Sequence, residues 1–473
     1  MRRIRKAKII ATLGPSTSDL KTIKKLFVAG ADTFRLNFSH DMPSTHIKRF
    51  KEIRTLEKKV GRPIGILMDL QGPKLRVGKF ENGPIFLKSG KNFVFDLDPA
   101  PGNKRRGFLP HKEIFKKIKK GNKILVDDGK LTLIVTKINS NYIKTKVKFS
   151  GFISSNKGFN IPNLKSNSAS LTKKDKDDLK LALKLGVDWI ALSFVQTEKD
   201  VLNFKKIIKG RASILSKLEK PSAIKNLNKI IEVSDAIMIA RGDLGIEVPL
   251  ETLPSQQKKI INACRQAGKP VVVATQMLDS MVNYPTPTRA EASDVATAIY
   301  DGTDAVMLSA ETAIGSYPIE SVKMMNKIIE EVETDPLYLN INEASHVKAE
   351  STAEDAITES AKYVARIMSA KAVVTYTTSG STALRAARER PDVPILSISP
   401  NLNTARRLAL VWGVHCIHTT DARNFKDMVL KAGRFAKKEK FAKKGDRVVI
   451  TAGVPFGQSG ATNVLRIASV DRY

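Results

Sequence analysis

Eight short apolar runs narrow the fold more than any other feature of the chain. They read KIIATLG, DTFRLNFS, IGILMDL, DWIALSFV, ASILSKLE, AIMIARGD, VVVATQML and AVMLSAET. Each is rich in β-branched residues, Leu or Met and is nearly continuous, as a strand buried on both faces should be. Polar, helix-forming segments separate most of them, beginning near Ser18, Pro43, Thr172, Thr197, Pro221, Thr252, Thr286 and Pro318. Many open on Ser, Thr or Pro, the residues that start helices. Eight strands alternating with eight helices predict an α/β protein built on a TIM-type (β/α)8 barrel, in two parts, residues 1–70 and 158–336.

The interval 71–157 breaks that rhythm. It holds short alternating runs (KNFVFDL, NKILVDDGK, LTLIVTKI, YIKTKVKF) divided by Gly, Asn and Asp. The pattern predicts a small inserted antiparallel β-barrel domain. With about twenty Lys and Arg against about six acids, it is among the basic parts of the chain and could act as a lid. After about Pro336 the barrel is finished; the polar stretch DPLYLNINEASHVKAEST reads as a connection into a further domain, residues 337–473. Helices and strands then alternate again, predicting a C-terminal α/β sandwich domain.

Composition removes several classes of function. The chain has 473 residues, enough for two to four domains, with 42% hydrophobic and 27% charged residues. No apolar run approaches the roughly 20 residues a membrane helix needs. The N-terminal MRRIRKAKIIATLGP is too briefly apolar for a signal peptide and reads as a basic tip before the first strand. Two isolated cysteines, Cys264 and Cys416, make neither a disulfide framework nor a CxxC metal site, which points to a reducing, cytoplasmic setting. A net charge of +33 invites a nucleic-acid reading, but the lysines are spread along the chain and aromatics are 6%. No nucleic acid or membrane partner is expected. A positive field also attracts anionic substrates.

Polar residues gather where the strands end, which in such barrels is the catalytic face. Strand two ends Arg35-Leu36-Asn37-Phe38-Ser39-His40, strand three in Asp69, strand five in Lys217-Leu218-Glu219. Strand six ends Arg241-Gly242-Asp243, strand seven Thr275-Gln276, strand eight Ser309-Ala310-Glu311. Any one of these suits a surface; all of them on one rim suit a convergent site. Glu219 and Asp243 fit Mg²⁺, which takes one or two carboxylates and fills its other positions with water and substrate oxygens. With Arg35 and Lys217 they suit phosphoryl transfer, where catalysis is mostly positioning and charge stabilisation. There is no Walker loop, kinase Gly-rich loop or His-rich zinc spacing.

The runs RLNFSH, ILSKLE, ARGDLGIE, ATQML with PTRAE, and MLSAETA, in this order, resemble the pyruvate kinase family over essentially the whole chain. The resemblance implies Mg²⁺-dependent transfer of a phosphoryl group from phosphoenolpyruvate to ADP. It implies that Lys217 stabilises phosphoryl and enolate oxygens, that Arg35 grips the phosphoryl group and that Glu219 and Asp243 hold Mg²⁺. Backbone N–H groups of Gly242 and Asp243 would anchor the substrate carboxylate. Thr275 would bind substrate and lie on the path that protonates C3, with Ser309 and Glu311 extending that relay. Arg76, Lys157 and His40 would meet nucleotide phosphates. A homotetramer is usual in the family. A barrel lyase or mutase acting on a phosphoenolpyruvate-like substrate would share the carboxylate pair but needs neither the insert nor Arg76. The presence of the expected residues argues against a non-catalytic paralogue.

One departure has a chemical consequence. Many family members read Asp-Thr-Lys-Gly-Pro-Glu after strand three and need K⁺; here the run is Asp69-Leu70-Gln71-Gly72-Pro73-Lys74. The family's K⁺ ligands map to Asn37, Ser39, Asp69 and the carbonyl of Leu70. Lys74 brings a compact positive charge on a flexible stem that can stand in for the monovalent ion, so the expectation is independence of K⁺. In the C-terminal domain, Thr377-Thr378-Ser379-Gly380-Ser381-Thr382 lies between a strand and a helix. Hydroxyls and free N–H groups there suit a phosphate or an ordinary helix cap alike. The resemblance favours a phosphorylated effector, with the loop from Gly453 through Gly457 beside it.

Overall fold

The computed structural model describes residues 2–162, 164, 171–455 and 462–470. Phe456 and Gly457 of the expected effector-side loop lie outside the described residues. Lys8–Leu13 (β1), Thr33–Asn37 (β2), Gly65–Asp69 (β3), Trp189–Leu192 (β4), Ser213–Leu218 (β5), Ala236–Ala240 (β6), Val271–Ala274 (β7) and Ala305–Leu308 (β8) form a closed barrel. Neighbours run β1-β8-β7-β6-β5-β4-β3-β2, and every pair is parallel. Ile10, Leu67, Trp189, Leu215, Met238 and Met307 fill the interior; the other faces pack on the helices in a second apolar layer. Burial on both faces is what the continuous apolar runs require.

The helices start close to the expected signals, with two shifts. The first, Leu20–Ala29, is capped by Asp19 rather than Ser18, the carboxylate accepting from the Thr22 N–H. The helix Arg289–Tyr300 is capped by Thr288, not Thr286, because only Thr288 has an acid, Glu291, three residues on to close a reciprocal capping box.

The inserted segment differs from the expected antiparallel barrel. It is an open six-stranded sheet, Phe159–Asn160, Lys123–Val126, Leu131–Ile138, Tyr142–Phe149, Asn92–Asp96 and Arg106–Phe108 in spatial order, beside a two-stranded pair, Ile85–Leu87 with Gly151–Ile153. The last two strands of the larger sheet run parallel. Arg106 explains this: it bonds Asp96 at 2.7 Å and the Asp98 carbonyl at 2.6 Å, folding the Pro-rich link back so that the chain re-enters in the same direction. This sheet has its own apolar core around Phe93, Phe95 and Phe159.

The C-terminal sheet orders Val414–His418, Ile395–Ser399, Val373–Tyr376, Arg447–Ala452 and Val464–Ser469, the last antiparallel. The polar connection before it contains a helix, Pro336–Ala344, capped by Asp335. Its polar composition hid one buried anchor, Tyr338, whose hydroxyl accepts from the Trp412 indole N–H at 3.2 Å. Leu410 joins the barrel's interior cluster, so the C-terminal domain plugs one end of the barrel. Among the described residues no helix is long and apolar enough to cross a membrane.

Candidate active site

Parallel pairing sets the rim in register: Arg35 lies opposite Leu67, Asn37 opposite Asp69 and Lys217 opposite Met238. Strand alternation then turns Arg35, Asp69 and Lys217 toward one another. Asp69, 1% exposed, is the hub. Arg35 reaches it with Nη2 at 2.7 Å and Nε at 2.8 Å, and Lys217 Nζ at 3.2 Å. Lys217 also sits 2.8 Å from Glu219 Oε1 and donates to Ser193 Oγ at 2.9 Å. Asp243 stands on the same rim, with Lys74 Nζ 2.9 Å from its Oδ1.

These charges hold one another in place. Burial would push the Lys217 ammonium to lose its proton, but Asp69, Glu219 and Asp243 together keep it charged well above the usual lysine range. Burial would raise Asp69; Lys217 and Arg35 win and hold its carboxyl below the usual range. Asp243 is likewise held low, against burial, by Lys74 and Lys217. Glu219 moves the other way, because its burial and the neighbouring Asp243 outweigh Lys217. Its Oε2 accepts from the Phe194 N–H at 2.7 Å; its Oε1 has Lys217 as an ion partner but no aligned hydrogen bond.

Glu219, whose Oε1 is held by an ion pair alone, and the neighbouring Asp243 make a pair of carboxylates suited to Mg²⁺. Among the described residues no three His, Cys, Asp or Glu side chains form a complete metal cage. Two carboxylates with room for substrate oxygens is the usual Mg²⁺ arrangement in phosphoryl transfer.

The remaining predicted residues fall into three groups. Thr275 is at the rim with φ +72, and its Oγ1 accepts from the Gly242 N–H at 2.7 Å. Gly242 therefore points its amide to this hydroxyl. Glu311 is buried and accepts from the N–H groups of Leu278 and Ser309, bracing the exits of β7 and β8, while burial raises its carboxyl. The Ser309 hydroxyl is buried with no partner. Asn37 accepts from the Ser39 N–H at 3.2 Å, and the Leu70 carbonyl accepts from Ser193 Oγ at 2.7 Å.

On the lid side, Arg76 donates to the Asn156 carbonyl and pairs in an isolated antiparallel bridge with Gly158; Lys157 lies 2.8 Å from Asp127. The His40 imidazole is exposed, and its affinity for a proton is lowered by partial burial and by Arg76 and Arg35. Thr377–Thr382 sits apart, in the C-terminal domain. There the Gly380 N–H donates to Thr377 Oγ1, and Thr382 Oγ1 meets Thr462 Oγ1 at 2.8 Å.

Sequence reasoning passed over two contributors, Thr12 and Ser193. Thr12 Oγ1 accepts from Arg35 Nη1 at 3.1 Å, and Ser193 touches Lys217 and Leu70. Thr12 lies on β1 and Ser193 directly follows β4, the two strands whose ends carry no charge. Their position at a strand end was the available signal.

Residues 4–322 match the family described as "Pyruvate kinase, barrel domain", and residues 355–468 "Pyruvate kinase, alpha/beta domain". A pyruvate kinase of Methylorubrum extorquens is 51% identical over 472 residues, covering 100% of this chain and 99% of its own. One from Agrobacterium vitis is 46% identical over 471 residues, 99% of both chains. A crystal structure of a pyruvate kinase from Cryptosporidium parvum superposes with a TM-score of 0.91 at 35% identity, covering 98% of this chain and 96% of that one.

Proposed function

The chain belongs to the pyruvate kinase family, a family of phosphotransferases, and from that premise we propose that the Asp69–Lys217–Glu219–Asp243 rim is where phosphoenolpyruvate gives up its phosphoryl group to ADP. The observation that carries the assignment is Lys217, within 3.2 Å of Asp69 and 2.8 Å of Glu219 in a buried setting. Charge neutralisation is strongest where water is excluded.

Glu219 and Asp243 would hold Mg²⁺, which when bound adds positive charge beside the enolate and carboxylate oxygens of the substrate. Lys217 keeps its proton and faces the oxygen that gains charge as the P–O bond breaks. Arg35, locked on Asp69 and Thr12, presents a fixed guanidinium to the phosphoryl oxygens. The substrate carboxylate takes over the Gly242 N–H that Thr275 Oγ1 now accepts, and the Thr275 hydroxyl passes its proton toward C3 of the enolate and regains one from solvent along the same path. The buried Ser309 hydroxyl extends that path, with Glu311 holding the loops around it. Arg76, Lys157 and His40 receive the nucleotide phosphates as the lid domain (71–157) closes on the barrel (1–70 and 158–336).

The reading of K⁺ independence draws on Lys74, whose ammonium adds positive charge to this rim, although it pairs with Asp243 at 2.9 Å rather than with the mapped ligands Asn37, Ser39, Asp69 and Leu70. The finer readings are a cytoplasmic homotetramer, supported by two free buried thiols and the family's habit, and a phosphorylated effector at Thr377–Thr382 of domain 337–473. A coupled assay of pyruvate formed from phosphoenolpyruvate and ADP, with and without Mg²⁺, tests the assignment. Turnover that persists in excess chelator refutes it.

A further inference from the structure

Glu247 ends the helix Arg241–Glu247, a poor place for a carboxylate, since a helix C-terminus carries partial negative charge. It is also buried, its side chain only 3% exposed. An unfavourable, buried charge needs a partner, and Glu247 has one from each side of the cleft. Lys220, just past β5, donates to Oε1 at 2.6 Å; Asn160, on the strand that returns from the lid, donates to the same oxygen at 3.3 Å. Asn160 is itself buried and pairs with Leu125 of the lid sheet.

We propose that Glu247, Lys220 and Asn160 form a latch that fixes the root of the lid, making them positioning residues for the nucleotide half of the reaction. The lid and the barrel have separate apolar cores, so packing alone leaves their relative placement soft. The chain crosses between them around residues 70–77 and 157–161, and the Arg76–Gly158 bridge stitches the two crossings together. Fixing Asn160 therefore fixes Gly158, and with it Arg76 and Lys157. Lys220 follows Glu219 in the chain and lies 5.7 Å from the ring centre of Phe194, whose N–H, held at φ +57, donates to Glu219. This inference rests on the proposed role of the lid in nucleotide binding.

Steady-state kinetics on the full-length enzyme test it, with Asn160→Ala, Lys220→Met, Lys220→Arg and, as a control on the lid itself, Arg76→Ala. Asn160→Ala and Lys220→Met are expected to raise KM for ADP by about fivefold, the ratio that loss of one hydrogen bond produces. KM for phosphoenolpyruvate should stay within about twofold, and Lys220→Arg should restore ADP binding, since charge rather than shape holds Glu247. If Arg76→Ala weakens ADP binding but the two latch variants do not, the latch is wrong and the lid assignment stands. If Arg76→Ala has no effect either, both fall. An equal rise in KM for both substrates also overturns the latch, because a merely structural defect would behave that way. Should Lys220→Met unfold, Asn160→Ala decides alone.

Discussion

The proposed chemistry leans most on Lys217, whose ammonium meets two buried carboxylates, Asp69 and Glu219. Lys217→Met is expected to lower kcat by more than the roughly 10²–10³ typical of removing one oxyanion stabiliser, with phosphoenolpyruvate still bound by calorimetry. Near-normal turnover refutes the role. Lys74 carries a second prediction. The unmutated enzyme should show no activation by KCl over tetramethylammonium chloride, and Lys74→Glu should create such a requirement. Strong K⁺ activation of the unmutated enzyme would sink it. The charged members of the rim were legible in the sequence because strand alternation leaves few places for Arg35, Asp69 and Lys217 to point; Asp243, expected at the end of strand six, instead lies in the first turn of the helix Arg241–Glu247. The partners of these residues were not legible. Whether Lys74 meets Asp243, or the Gly242 N–H meets Thr275, depends on backbone turns such as the positive φ of Thr275 and Gln276 that no local pattern announces.

At the scale of elements, β3 must leave the barrel and enter the lid within three residues, and Gly72 makes this possible. Its φ is +69, and a Cβ there would stand 2.7 Å from the Phe194 ring and 2.9 Å from the Ser193 side chain. Its N–H donates to Asp175, the residue that closes the capping box of the helix Lys173–Leu185. Gly72→Ala adds left-handed strain to overpacking and is expected to destabilise the protein by about 2–4 kcal/mol. Calorimetry checks this; an unchanged Tm would show that the exit is slack. Barrel strands were readable as continuous apolar runs. The helix Pro336–Ala344 was not, because its one deep anchor, Tyr338, is outnumbered by polar neighbours. Nor was the parallel pair in the lid, which an arginine 10 residues downstream of Asp96 enforces through the Pro-rich link.

At the scale of the whole molecule, the seam between barrel and C-terminal domain is dense with charge, and His415 gives it a pH dependence. Its Nε2–H donates to Glu439 at 3.1 Å, while Nδ1 is buried with no partner, so a second proton would have no acceptor. Burial, with help from nearby Arg62 and Lys8 and against Glu439, lowers its pKa from 6.5 to about 4. In the folded protein His415 is thus neutral until about pH 4, whereas the unfolded chain takes up the proton near 6.5. Between those values the unfolded state binds more protons, so stability falls as pH falls. The stabilising difference is complete above pH 6.5 and largely gone at 4, a change of about 3 kcal/mol. Other carboxylates titrate in the same window, so the informative quantity is a difference. His415→Gln keeps a neutral donor for Glu439 but cannot take a proton. The Tm of this variant, read against the parent, should therefore lose less between pH 6.5 and 4. Parallel curves would mean that His415 is free to charge in place and that the seam tolerates a cation there.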